Sequence, residues 1–361
     1  MRLAKALGCL AVLVILAALA AGVAAWWAWT SLDRPYGSGE VVEVVEPGTG
    51  AGRVLERLER RGVLPDARLA RAYLVYALGD PPIHAGEYRF ELPMTPRGVL
   101  DKLVRGDVVL HRLTVVEGLT LEETAEALAR AGFGELDAFL AAMRDPSPVA
   151  DLDPEAESLE GYLFPETYSF QRGTSEREIV AKLVETFRRR FEDGVRPLMT
   201  GPRTVRELVT LASIVEKEAQ VEEERRLIAG VYANRLAAGM GLYADPTIIY
   251  GLKLEGTWDG NLTREHLAWD SPYNTYRRAG LPPGPIASPG LGSLRAAADP
   301  ADVPFLYFVS RNDGSHVFAE TLAEHNRNVE RWQKEYWRRR WAEEREARRE
   351  EKAGAPSPGS D

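Results

Sequence analysis

Apolar and polar positions divide sharply at the start of the chain. Arg2 and Lys5 precede a stretch from Ala6 to Trp29 that holds no charged residue. Wound as a helix at roughly 1.5 Å per residue, it would span about 36 Å, enough to cross a hydrocarbon layer of about 30 Å. Trp26, Trp27 and Trp29 close the run, as aromatic rings do at a membrane–water boundary. The cationic flank belongs on the cytoplasmic side, so residues 1–30 read as a single-pass anchor with the rest of the chain outside. Ala18 and Ala20 would suit a leader-cleavage site, but the run is long for a leader and continues to the tryptophans, so we read it as uncleaved. Ala6-Leu7-Gly8-Cys9 looks like a lipoprotein box, yet no apolar segment precedes it. Cys9 reads as a residue buried in the span.

Beyond the anchor, the spacing of apolar residues alternates between two periods. Ser31–Glu40 is polar and Gly-containing and reads as a linker. Val41–Val45 is β-branched and predicts a short strand. After a turn at Pro47–Gly50, Val54, Leu55 and Leu58 give helical spacing over 52–61, and 66–78 repeats it. Residues 87–90 alternate like a strand, 95–105 place Val99, Leu100, Leu103 and Val104 on one helical face, and 110–116 alternate again. A strand–helix–helix–strand order is one way to read 84–117; a compact spacer without a ligand is the plainer one. Thr120 with Glu123 predicts a capped helix, and the chain to about 200 is mainly helical. An aromatic, Pro-containing break interrupts it at 158–168. Thr204 with Glu207 predicts a further capped helix running past Glu218. Residues 242–318 are rich in Pro, Gly, Tyr and Asn and should form loop-dominated surface, where sites tend to lie. A helix of mixed charge with Trp332, Trp337 and Trp341 follows Asn326, and 353–361 reads as a disordered tail. The fold class expected is α+β.

The net charge of −9 argues against a nucleic-acid partner. A single cysteine leaves no intramolecular disulfide, which decides nothing about compartment. The five histidines are scattered, and no H-E-x-x-H pair, G-x-S-x-G elbow, Walker loop or dinucleotide-binding glycine pattern occurs. No cofactor or metal is therefore expected.

One carboxylate stands out. Leu208, Leu211, Ala212 and Val215 share a helical face, and Glu218 lies at its edge, three residues after Val215 and four after Ile214. Glu216 points about 160° away in projection, onto the more polar stripe of Val209, Ser213 and Gln220. Glu218 is the better candidate for a partly buried carboxyl, whose raised pKa would suit a general acid for a glycosidic oxygen. The plainer alternative is a structural acid paired with Arg225 or Arg226. Asp245-Pro246-Thr247 reads as a turn into a helix that Asp245 could cap. Tyr273, Asn274 and Tyr276, followed by the rigid Gly280–Ile286 loop, offer apolar ring faces and paired donors and acceptors that suit a sugar. A loop packed only on itself would look the same.

Several motifs in order then resemble the endolytic murein transglycosylase (YceG-like, MltG-type) family: Leu-Glu-Gly-Tyr-Leu-Phe-Pro-Glu-Thr-Tyr at 159–168, Ala-Ser-Ile-Val-Glu-Lys-Glu at 212–218, Asp-Pro-Thr at 245–247, Tyr-Asn-Thr-Tyr at 273–276, and Gly-Leu-Pro-Pro-Gly-Pro-Ile at 280–286. Gly314–Phe318 and Glu324–Asn326 also fit. The resemblance runs from the anchor to about Asn326. It implies a lytic transglycosylase with Glu218 as catalytic acid/base, 1,6-anhydro-MurNAc ends as products, and peptidoglycan glycan strands as substrate. It also implies a LysM-like subdomain at 41–117 and a mixed helical, loop-rich catalytic domain at 118–330, before the charged helix and tail of 331–361. Glu166, Asp245, Tyr273, Asn274 and Tyr276 are the substrate-contact candidates. Glu166 stands where Asp is common, Ala244 where a small hydroxyl residue is usual, and Ser288 where Asn is frequent. A water-using muramidase, with Asp245 or Glu166 as second carboxylate, and a wall-binding scaffold that docks peptidoglycan synthases are the rival readings.

Overall fold

The computed structural model describes residues 2–354, with side chains from 10 to 346 apart from residue 24. The expectation for Cys9 therefore falls outside the described side chains, and most of the expected tail falls outside the described residues. The chain divides into two compact units, 1–112 with 169–174, and 113–168 with 175–361.

The first unit opens with α1 (Arg2–Ser31). Its Leu10–Ser31 portion is long and apolar enough to cross a membrane, and its apolar side chains are exposed. The following residues are not a free linker. Leu32 is buried, and Asp33 pairs with Arg97, whose guanidinium lies 5.0 Å from the Trp29 ring centroid. β1 (Tyr36–Val45) then begins five residues earlier than the β-branched run. Gly37 and Gly39, which suggested a linker, instead make an irregularity in the strand at φ 82° and 81°. A Cβ on Gly37 would come within 2.6 Å of the Gly62 carbonyl oxygen.

α2 (Ala51–Arg60) and α3 (Ala67–Tyr76) follow. Asp66 caps α3 by accepting from the N–H groups of Arg68 and Leu69 at 2.8 and 2.9 Å. β2 (Gly86–Met94) returns antiparallel to β1, with Val41 opposite Phe90. The strand–helix–helix–strand order thus falls at 36–94. Residues 84–117 hold β2, α4 (Pro96–Arg105) and β3 (His111–Thr114) instead. Thr95 caps α4, and Gly106 ends it at φ 67°. Val54, Leu55, Leu58, Leu74, Tyr88, Phe90, Leu100 and Leu103 close one core.

In the second unit come α5 (Leu121–Arg130), with the expected Thr120–Glu123 capping box, and α6 (Leu136–Met143). A turn-rich stretch leads to β4 (Thr167–Phe170), and α7 (Glu176–Gly194) follows. The centre of this unit is α8 (Val205–Glu218), capped by Thr204 and Glu207 as predicted. It is buried on all sides from Leu208 to Val215, because α9 (Arg225–Ala237), α10 (Asp245–Leu254) and, after the short α11 (Arg264–Ala268), α12 (Leu291–Ala298) pack around it. The polar stripe expected to include Val209 and Ser213 is therefore interior. Ser213 Oγ donates to the Thr210 carbonyl and accepts from Ile286 N–H at 3.0 Å, pinning the Pro/Gly loop to the helix. Gly161 (φ 85°) sits so close that a Cβ there would lie 2.5 Å from Pro285 Cβ. The hairpin β5 (Tyr307–Ser310) and β6 (His316–Ala319) precedes α13 (Leu322–Val329). A π-helical turn at 330–334 joins α13 to α14 (Glu335–Gly354), which carries Trp337 and Trp341 on its exposed surface.

Candidate active site

α8 was expected to continue past Glu218, but Glu218 is its last residue. Ala219 turns extended at φ −77°, ψ 122°. No Gly or Pro marks this end, so the sequence carried no stop signal. Termination there leaves Glu218 partly accessible at the helix end, facing α9 and the start of α10.

On α9, buried Tyr232 donates its hydroxyl to Glu218 Oε1 at 3.2 Å. Arg235, three residues on, is buried too. Its Nε donates to the Leu306 carbonyl at 2.7 Å and Nη1 to that of Leu242, while its guanidinium lies 5.5 Å from both the Tyr243 and Tyr307 rings. His325 stacks on the other aromatic neighbour, Tyr307, at 5.3 Å. Tyr243 holds φ 50°, a left-handed conformation uncommon for a bulky residue and typical of functional loops.

Asp245 is the first residue of α10 rather than its cap; Ala244 occupies the capping position. The Asp245 carboxylate is free of the helix N–H groups and accepts instead from the Tyr276 hydroxyl at 2.7 Å. The Tyr276 ring lies 5.3 Å from that of Tyr243. The Asp-Pro-Thr and Tyr-Asn-Thr-Tyr motifs lock together behind it. Ala244 N–H donates to Thr275 Oγ1 at 3.0 Å, and the Thr247 and Thr275 hydroxyls meet at 3.0 Å.

These neighbours set the titration of Glu218. Burial is the largest influence and the negative charge of Asp245 the next; together they push its carboxyl up to about 7, against the opposing effects of the Tyr232 hydroxyl and Arg235. Although the side chain keeps partial solvent access, its carboxyl end is surrounded by protein, and burial dominates. Burial, then the bond to Asp245, raises Tyr276 well above the ordinary phenol range. Burial lowers Arg235, and burial with nearby Arg235 lowers His325.

Glu216 serves the structural role that was the alternative for Glu218. It does not face solvent. Its carboxylate pairs with Arg225 Nη1 at 3.0 Å and accepts from Gly290 N–H at 2.9 Å, bracing α8 against the start of α12. Arg225 also donates to Ser293 Oγ at 2.6 Å. Arg225 is thus the partner of Glu216, and Arg226 pairs with Asp299.

Among the other candidates, Asp245 and Tyr276 stand with Glu218. Asn274 is wholly inside its loop, donating to the Trp269 and Leu267 carbonyls at 2.6 and 3.2 Å and accepting from Tyr276 N–H at 3.0 Å. Tyr273 meets Tyr250, ring centroids 5.0 Å apart, beside buried Glu160. Glu166 pairs with Arg190 on α7 at 2.6 Å, and none of its hydrogen bonds or ion pairs reaches the Glu218 group. Tyr232, Arg235 and Tyr243 were not singled out from sequence; the i, i+3 spacing of Tyr232 and Arg235 on α9 was the available signal. A cavity of about 810 Å³, lined by Met199, Leu208, Leu281 and Pro282 among others, contains none of this group.

A carboxyl raised to about 7, among tyrosines and a second carboxylate, has the chemistry to give and to take a proton near neutral pH. The chain belongs to the YceG-like family, whose model matches residues 43–331. It is 31% identical over 304 residues to the endolytic murein transglycosylase of Bacillus subtilis, covering 80% of this chain and 83% of that protein. It is likewise 31% identical over 317 residues to the endolytic murein transglycosylase of Streptococcus pneumoniae strain D39, covering 79% of this chain but 57% of that longer protein. A solved structure of a YceG-like protein from Listeria monocytogenes superposes with a TM-score of 0.53 at 32% identity, covering 81% of this chain and 99% of that one.

Proposed function

We propose that this chain is an endolytic lytic transglycosylase that cleaves the MurNAc–GlcNAc β-1,4 bond of peptidoglycan strands, with Glu218 as its acid/base. The observation that carries the reading is the Glu218 carboxyl, held at about 7 by burial and by Asp245 in a chain of this family. Protonated Glu218 donates to the glycosidic oxygen as the sugar develops oxocarbenium character. Its carboxylate then takes the proton from the MurNAc 6-hydroxyl, which attacks C1 of its own ring to close a 1,6-anhydro end. No water is consumed. The internal nucleophile gains from proximity, and acid and base are one group used twice. Asp245 favours the protonated start, and its charge is suited to the positive ring that follows. The Tyr276 hydroxyl holds Asp245 in place.

Arg2 and Lys5, at the start of α1 and ahead of its apolar run, support an anchored protein whose second unit acts outside the cytoplasm, where it limits nascent strand length beside peptidoglycan synthases. Residues 41–117 would be a LysM-like wall-binding subdomain. The water-using alternative needs a second carboxylate, for which Asp245 is better situated than Glu166. The test of the assignment is Glu218→Gln. It should lower strand cleavage by about 10²–10⁴, whereas Glu216→Gln protein, assayed at a temperature where it stays folded, should cleave near the normal rate. Retained cleavage in Glu218→Gln protein would overturn it.

A further inference from the structure

A second carboxyl lies buried in the same unit, and the chemistry above does not use it. Glu160, in the Leu-Glu-Gly-Tyr motif, is only 5% exposed. Its Oε2 accepts from Leu121 N–H, at the start of α5, at 3.0 Å. Its Oε1 is buried with no hydrogen-bond partner. The Tyr250 hydroxyl and the Gly161 N–H stand near enough to the carboxyl to favour the ionised form, but neither closes a hydrogen bond to Oε1. A buried polar atom left unmatched costs about 1–3 kcal/mol, and such an orphan calls for a missing ligand or another specific reason. Burial above all pushes this carboxyl up to about 8, against the pull of the Leu121 N–H. The upward shift favours the protonated form, which can donate.

Glu160 opens on a cavity of about 240 Å³ that Tyr162, Tyr250, Tyr273, Glu122 and Arg206 also line. That is below the roughly 300–1,000 Å³ of a complete small-molecule site, a size for one ring rather than a chain of them. Two rails connect it to Glu218. The 269–276 loop runs antiparallel beside α10: Tyr276 bonds Asp245 at the Glu218 end, Thr275 meets Thr247 in the middle, and Tyr273 meets Tyr250 at the Glu160 end. Asp245 and Tyr250 are five residues apart on the helix, about 7.5 Å along its axis and about 140° apart around it.

We propose that this cavity is a distal sugar subsite, binding one N-acetylated pyranose of the same strand whose scissile bond lies at Glu218. The inference rests on the function proposed above. The Tyr273 and Tyr250 rings supply the apolar face that a pyranose packs against. The Glu160 carboxyl donates to the acetamido carbonyl, satisfying the oxygen that now lacks a partner. Glu122, Arg144, Glu157 and Arg206 also line the cavity, with Arg206 already paired to Asp153 at 2.9 Å; a charged stem peptide is therefore the rival occupant, and the titration separates the two.

Binding can be read without cleavage. Full-length Glu218→Gln protein in detergent micelles is titrated calorimetrically with chitohexaose, a peptide-free N-acetylglucosamine oligomer. Adding Tyr273→Ala or Glu160→Ala should weaken binding by about ten-fold or more, the equivalent of 1.4 kcal/mol. Tyr273→Phe keeps the ring and Glu160→Gln keeps a donor of the same shape, so both should stay within about three-fold, under 0.7 kcal/mol. The conservative pair also controls for damage to the fold. Chitohexaose that fails to bind the parent protein, or binds the alanine variants equally well, overturns the subsite. So does a free stem tetrapeptide whose binding is the one lost in Tyr273→Ala protein. Cleavage by Glu218→Gln protein would instead sink the proposed function, leaving this result to stand by itself.

Discussion

Glu218→Gln should make the protein more stable at alkaline pH, and the size of the gain follows from the site. The folded carboxyl titrates at about 7 against an ordinary value of 4.5. A raised folded pKa means the native state holds the proton more tightly than the unfolded chain. Its favourable contribution is full below the unfolded value and is lost as pH rises through the folded one. At pH 8 the wild type must keep a carboxylate where burial and Asp245 oppose it. The difference of 2.5 units at about 1.36 kcal/mol each gives roughly 3 kcal/mol. Partial solvent access at the end of α8 screens some of this, so about 1–3 kcal/mol is expected. Gln has nearly the same shape, still accepts from Tyr232, and never ionises. In urea denaturation of the full chain in micelles, the variant should exceed the wild type by that amount at pH 8 and come close to it at pH 5. At about 2–4 °C per kcal/mol for a unit of this size, calorimetry would resolve the same difference. A variant that is less stable at pH 8, or whose advantage does not shrink on acidification, would refute the reasoning about this carboxyl.

Two single substitutions should move the alkaline limb of the kcat/KM profile in opposite directions. Tyr232→Phe removes a bond that favours the carboxylate, so the limb should shift to higher pH; Asp245→Asn removes a charge that favours the acid, so it should shift to lower pH. Shifts of the same sign in both variants would contradict the assignment of those effects. Glu216→Gln should destabilise the fold by about 1–3 kcal/mol, because Arg225 and Gly290 N–H lose a buried charged acceptor; an unchanged denaturation midpoint would show the brace to be unimportant.

What could be read from the sequence was mostly local. The capping residues of α5 and α8, the helical faces of α2 and α4, and the position of Glu218 beside Ile214 and Val215 all follow from short-range spacing. What escaped depends on partners distant in sequence. Glu216 fell on the more polar stripe with Val209, Ser213 and Gln220, yet Arg225 and Gly290 enclose it. The end of α8 has no breaker of its own. Gly37 and Gly39 read as flexible until β2 is seen to pair with that stretch. Asn274 had chemistry suited to a sugar, and the loop it belongs to consumes that chemistry internally. Asp245 and Tyr276 were legible as sugar-suited residues, but their hydrogen bond joins positions in two separate motifs, and periodicity carries no information about it.

The central claim is intramolecular closure by one carboxyl, and the products report it directly. Purified, peptide-free glycan strands should be incubated with the full chain in micelles prepared in ¹⁸O-enriched water, and the new ends examined by mass spectrometry. The account predicts 1,6-anhydro-MurNAc ends that carry no label and are missing from strands treated with Glu218→Gln protein. Reducing MurNAc ends with ¹⁸O at C1 would contradict it and assign a water-using muramidase instead.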